Sequence, residues 1–199
     1  QNNPGVILWL NGRMHNWGDH IDLKVAQQLN TSSSPFVIWT DFELTDAEMR
    51  AALNTADCYV APSHLEGFGL LPLQAMACNR HVLLTDFSGH KDYTTKENSL
   101  LIPCKTEYRN PPGLNHKVPW GVFKESNLEE LLGEALTFKP KHSPILTARK
   151  HSWLHSADTL IKHLPLGRLV SLRENLVTIT FPVINNPSDV ERLLRSLYT

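Results

Sequence analysis

The chain alternates between short, wholly apolar runs and longer segments in which apolar residues recur every three or four positions. The runs at 5–10 (GVILWL), 36–39 (FVIW), 58–62 (CYVAP), 81–85 (HVLLT) and 97–103 (ENSLLIP) have the length and continuity of strands buried on both faces. Between them the spacing predicts helices. One is capped by Asp19 and carries Ile21, Val25, Ala26 and Leu29 on a single face. A second opens on a capping box, Thr45 with Glu48, and turns Met49, Ala52, Leu53 and Ala56 inward. Ser126 with Glu129 predicts another capped start, with Leu128, Leu131, Leu132, Ala135 and Leu136 as the apolar stripe. A last helix is expected over about 146–164, with Trp153, Ala157, Leu160, Ile161 and Leu164 facing inward. Strand–helix alternation of this kind predicts an α/β fold: a doubly wound, Rossmann-like parallel sheet of about five to six strands, binding its ligand at their carboxyl ends.

The stretch 61–94 concentrates the candidate chemistry. A strand leads into the loop EGFG (66–69), a short helix opens at 70–72, and a further loop, DFSGH, follows the next strand. Gly67 and Gly69 permit a sharp turn and close approach of a ligand to the backbone. Pro72 suits a first helical turn, and Leu73, Met76 and Ala77 fall on one face. A helix N-terminus aimed at such a loop offers free N–H groups and partial positive charge, an anion site with phosphate as its usual occupant. Glu66 beside it is an acceptor for hydroxyl groups, so phosphate plus hydroxyl recognition points to a nucleotide-sugar. On spacing alone, an ordinary strand–turn–helix with an exposed Glu is an equal alternative.

Composition narrows the class. Hydrophobic residues make up 41% and charged residues 20%, the balance of a globular chain. Net charge is −1 with no long basic run, which argues against a nucleic-acid partner while leaving room for a small phosphate site. No apolar run reaches the length of a membrane span. The three cysteines, Cys58, Cys78 and Cys104, lack metal-ligand spacing. Buried thiols at Cys58 and Cys78 in a cytoplasmic setting are the expectation.

ADCYVAPSHLEGFGLLPLQAMACNRHVLLTD, continued by DFSGHKDYT and ENSLLIP, resembles the signature of the retaining glycosyltransferases of family 4, within the glycogen-synthase-like group of GT-B fold. The resemblance spans roughly residues 5–164 and covers the C-terminal, donor-binding domain. It implies sugar transfer from a nucleotide-diphosphate sugar with retention at the anomeric carbon, with no metal and no separate cofactor. It implies catalytic roles for Glu66, which holds the donor sugar, and Arg13, which with Gly12 meets the diphosphate. It puts Glu66, Gly67, Phe68, Gly69, Leu70 and Gly89 around the sugar and phosphates, Gln74 at the ribose, and Thr40, Asp41 and Phe42 near the base. For these last three, a plain strand-to-helix loop is an equal alternative. Two departures stand out. The Lys expected shortly after Arg13 is replaced by Trp17 and Gly18, and the second acidic position is Gln74, which offers one acceptor oxygen where a carboxylate has two. His64 is a further candidate at the sugar, although a solvated loop His is the commoner case. Asp92 takes the place of the family's Glu or caps a short turn, and Asn79 stands where Gly is usual, a residue tolerant of left-handed backbone. The long loop 105–125 brings Tyr108, Arg109, His116 and Trp120 to close over the donor or face an acceptor, with Trp120 packed down as the plainer alternative.

Residues 1–165 thus form the expected nucleotide-sugar-binding domain, 166–175 a linker, and 176–199 the start of a second domain. That last segment, LVTITFPVINNPSDVERLLRSLYT, resembles the opening strand and helix of family 2 glycosyltransferases of GT-A fold, through Pro182, Val183 and Asn185. The expected partners are a nucleotide-sugar donor, a glycan or other acceptor, and an N-terminal Rossmann-like domain elsewhere in a longer protein. The alternative function is a degenerate, non-catalytic nucleotide-sugar-binding or scaffold module. An epimerase or phosphorylase using the same cleft is a third.

Overall fold

The computed structural model describes residues 6–11, 37–40, 43–111 and 115–163. It divides into two compact units, residues 1–150 and 151–199.

In the first unit, β1 (Leu8–Asn11) pairs in parallel with β2 (Val37–Thr40). β3 (Cys58–Ala61), β4 (His81–Thr85) and β5 (Leu100–Ile102) form a second parallel sheet in that order. The fold is α/β, as the run pattern predicts, consistent with the Rossmann-like half of a GT-B fold. Five of the expected parallel strands are present, but hydrogen-bonded as separate groups of two and three.

The β3–β4–β5 sheet carries the core. β4 is buried along nearly its whole length, and its alternating side chains feed two clusters. Val82 and Leu84 point to one face, where α1 (Asp46–Thr55), α2 (Leu70–Ala77) and α4 (Pro144–Lys150) contribute Leu53, Leu73, Ala75, Met76 and Ala148. Leu83 points to the other, where α3 (Glu125–Ala135) brings Ala135 and the half-buried Leu128 and Leu131. Helices on both faces explain why the strands are continuously apolar rather than alternating.

Several element boundaries follow from local chemistry. The Thr45–Glu48 capping box forms: the Glu48 amide donates to Thr45 Oγ1 at 3.3 Å, and Glu48 Oε2 accepts from the Thr45 amide at 2.8 Å. The predicted box at Ser126 and Glu129 does not. α3 begins two residues earlier, with Lys124 at its cap and no side-chain cap bond, which places Ser126 inside the first turn. Leu132 and Leu136 of its predicted stripe are exposed, because the packed face is narrowed to Leu128, Leu131 and Ala135. On α2, Ala75 is buried where Ala77 was expected. Asn79 does adopt the left-handed backbone, with φ of 59°, in the turn from α2 to β4.

The loop 105–125 is not irregular. β6 (Lys105–Arg109) and β7 (Val118–Val122) form an antiparallel hairpin. β1 is also not the buried strand predicted: Val6, Ile7, Leu8 and Trp9 are exposed, and among the described strands β1 pairs with β2. The expected helix over 146–164 is two helices. Ser152 interrupts it and caps a new start, its Oγ accepting from the His155 amide at 3.2 Å.

In the second unit, the described helix is α5 (Trp153–His163). Its Trp153, Leu160 and Ile161, predicted to face inward, are exposed. No described helix is long and apolar enough to cross a membrane. The helix predicted after Asp19, the linker and the 176–199 segment lie outside the described residues.

Candidate functional site

The EGFG loop leaves the carboxyl end of β3 and enters α2 at Gly69. Gly69 is buried and left-handed, with φ of 85° and ψ of 68°. A Cβ there would lie 2.7 Å from Tyr93 Oη and 2.8 Å from His90 Cδ2, so conformation and space both require glycine. The Gly69 carbonyl accepts from Tyr93 Oη at 2.9 Å and from the Leu73 amide at 3.4 Å. Pro72 stands third in the helix and brings no N–H. Among the described residues, the N–H groups of Leu70 and Leu71 therefore remain without a backbone acceptor. They are the orphan donors of a helix start, at the positive end of its dipole.

The second loop clamps the first. The Glu66 amide donates to Ser88 Oγ at 2.9 Å, and the Gly89 amide donates to the Glu66 carbonyl at 3.1 Å. A Cβ on Gly89 would meet the Gly67 carbonyl oxygen at 2.2 Å. Ser88 is itself left-handed, with φ of 49°, a strained setting for a residue with a side chain. The clamp fixes the Glu66 backbone and leaves its half-buried carboxylate without a hydrogen bond among the described residues. The open side of the loop is Gly67, where a Cβ would meet nothing within 4 Å.

The hairpin supports this arrangement from one flank. His64 Nδ1 bonds to the Gly121 carbonyl at 2.7 Å, and the Gly121 amide donates to the His64 carbonyl at 2.8 Å. The His64 ring is stacked on Trp120 at 5.2 Å and on Phe123 at 5.4 Å. The solvated loop residue of the sequence reading does not describe this half-buried ring held between aromatics. Trp120 takes the plainer of its two expected roles and packs down. Tyr108 and His116 are exposed, and Arg109 is engaged by Glu107 at 2.7 Å on the outer strand.

Beneath the loops lies His90, fully buried. Its Nδ1 lies 3.4 Å from both Thr85 Oγ1 and the Thr85 carbonyl, while Nε2 is buried without a partner among the described residues. Burial pushes its pKa down, opposed by the Thr85 backbone and the Glu66 carboxylate. Burial foremost, then the Glu66 charge, pushes Tyr59 and Tyr93 up, so both phenols stay protonated near neutral pH. Sequence reading passed over His90, because a lone His in a Gly-containing loop carries no spacing signal. Cys58 is half-buried rather than buried, and desolvation pushes its thiol up to about 11.

The structure thus gathers Glu66, Gly67, Phe68, Gly69, Leu70 and Gly89 at one end of the β3–β4–β5 sheet. Gln74 lies on the second turn of α2, exposed. Thr40 ends β2, opposite Asn11 in the β1–β2 register. Gly12, Arg13, Asp41 and Phe42 lie outside the described residues, as does the position of the missing Lys. Asp92 is the last residue of the 3-10 turn Ser88–Asp92, so it does not cap the start of that turn.

Residues 5–110 match the family described as glycosyl transferases group 1. Among curated proteins, a serotype-specific mannosyltransferase WbdA of Escherichia coli is 29% identical over 148 residues, covering 74% of this chain and 17% of that relative. A second protein of the same description and organism is 27% identical over 140 residues, covering 70% of this chain and 15% of the relative. The chain therefore spans only a small part of the length of these relatives.

Proposed function

The chain belongs to the group 1 glycosyl transferases, and from that premise we propose that it is the donor-binding half of an enzyme moving a sugar from a nucleotide-diphosphate sugar to a glycan or other acceptor, with retention at the anomeric carbon. The observation that carries this reading is the α2 N-terminus. Among the described residues, two unpaired N–H groups, a left-handed glycine and an open glycine stand beside a carboxylate whose backbone is clamped and whose oxygens are free.

Each group then has a task. The Leu70 and Leu71 amides and the α2 dipole hold the diphosphate and take up the charge that builds as it leaves. The Glu66 carboxylate accepts hydrogen bonds from the sugar hydroxyls. Arg13 supplies a guanidinium to the diphosphate, and Gln74 keeps one acceptor for the ribose. Thr40, Asp41 and Phe42 border the base. No metal has a role in this reading. The acceptor comes from a second Rossmann-like domain of a longer protein. The activity in the relatives' description makes a nucleotide-diphosphate mannose the first donor to try.

Calorimetry with a panel of nucleotide-diphosphate sugars tests this directly. One donor binds, and Glu66→Ala and Arg13→Ala each weaken it by about tenfold or more, the loss of one charge-assisted contact. If no donor binds at about millimolar concentration, the enzyme reading falls for this chain. A non-catalytic module is then the better account, in keeping with Gln74 and the absent Lys.

A further inference from the structure

His90 presents a buried polar atom that the fold does not satisfy. Such atoms are rare in folded proteins, because water is lost and nothing replaces it. Its tautomer is fixed by its neighbours. Thr85 Oγ1 donates its own proton to the Ser63 carbonyl at 2.7 Å, so it can only accept from His90, as can the Thr85 carbonyl. Nδ1 therefore carries the hydrogen, and Nε2 is a bare lone pair.

That lone pair lies directly behind the α2 N-terminus. A Cβ on Gly69 would stand 3.0 Å from Nε2, so with glycine only a hydrogen separates the imidazole from the helix cap. While the site is empty, burial and the positive helix end both oppose a second proton. Among the described residues, Glu66 is the charged group that acts on the ring and favours that proton. The other titratable neighbour in contact, Tyr93, lies edge-on at 6.4 Å as a neutral phenol, and Tyr59 is also neutral. An anion at the Leu70 and Leu71 amides reverses the local field, and the low dielectric around a buried ring magnifies the change.

We propose that His90 takes up a proton from solvent at Nε2 when a diphosphate settles on the α2 N-terminus. The site then carries an added positive charge only while occupied. Neutral imidazole plus a proton becomes imidazolium, with Nδ1–H still held by Thr85. This inference rests on the reading of the loop as the diphosphate site.

The test uses the full chain with nitrogen-15-labelled histidine, titrated with UDP, GDP and ADP at about neutral pH, with binding measured separately by calorimetry. On binding, the His90 Nε2 resonance moves from the bare to the protonated nitrogen region. The affinity of the same diphosphate rises by up to about tenfold as pH falls from about 8 to 7, and His90→Gln abolishes that slope while still binding. If a diphosphate binds and Nε2 stays bare, the inference is overturned and the donor site stands. If none of the three binds, the donor site falls and this inference falls with it. Should His90→Gln fail to fold, the resonance of the unaltered chain decides alone.

Discussion

Two glycines carry more of the candidate site than any charged residue. Gly69 lets α2 begin in a left-handed turn directly against His90 and Tyr93, and Gly89 lets one loop lie on the backbone of the other. Gly89→Ala would push a methyl into the Gly67 carbonyl, a backbone atom that cannot rotate away. We expect a loss of about 1–3 kcal/mol in thermal or denaturant unfolding, the ordinary cost of overpacking. Donor affinity should fall about tenfold or more at the same time, because the Glu66 carbonyl loses its Gly89 bond. Equal stability and affinity in the variant would show that the two loops are not a clamp. At this scale the sequence disclosed residue types but not contacts. EGFG announced a turn through backbone freedom, which is local. The partner of that turn, Ser88 and Gly89, lies more than twenty residues on and is joined only by folding. His90 was silent for the same reason.

Among the elements, the strands of the central sheet were legible because continuous apolar runs leave few alternatives once helices cover both faces. The capping box of α1 was legible because its chemistry is confined to four residues. The hairpin β6–β7 was not: proline and glycine in 105–125 marked a loop, and no two-residue turn signal marks where its strands pair. Nor was the break at Ser152, where a cap residue outweighed a continuous apolar period. The hairpin's contribution is testable through Trp120, half-buried and stacked on His64. Trp120→Ala should cost ~1–2 kcal/mol, below the 3–5 kcal/mol of a fully buried aromatic. It should also loosen the segment before Glu66, raising amide exchange at 63–66 relative to β4. Unchanged exchange there would mean that the hairpin does not brace the loop.

On the scale of the whole molecule, the β3–β4–β5 sheet carries at its carboxyl end the candidate site, formed by the start of α2 and flanked by the second loop and the hairpin. In the reading proposed above, that site takes the nucleotide-diphosphate donor; the chain itself covers only a small share of the mannosyltransferase relatives. β1, with exposed apolar residues, and β2 belong to the same unit, and Gly12 and Arg13 follow directly after Asn11 in the sequence. The most direct measurement is a residue-resolved amide titration of the labelled chain with whichever donor binds. The account predicts that the amides of Glu66, Gly67, Gly69, Leu70, Leu71 and Gly89 shift together, at one affinity, ahead of those on the exposed hairpin strand. Binding that leaves these amides unmoved and perturbs another surface would contradict it.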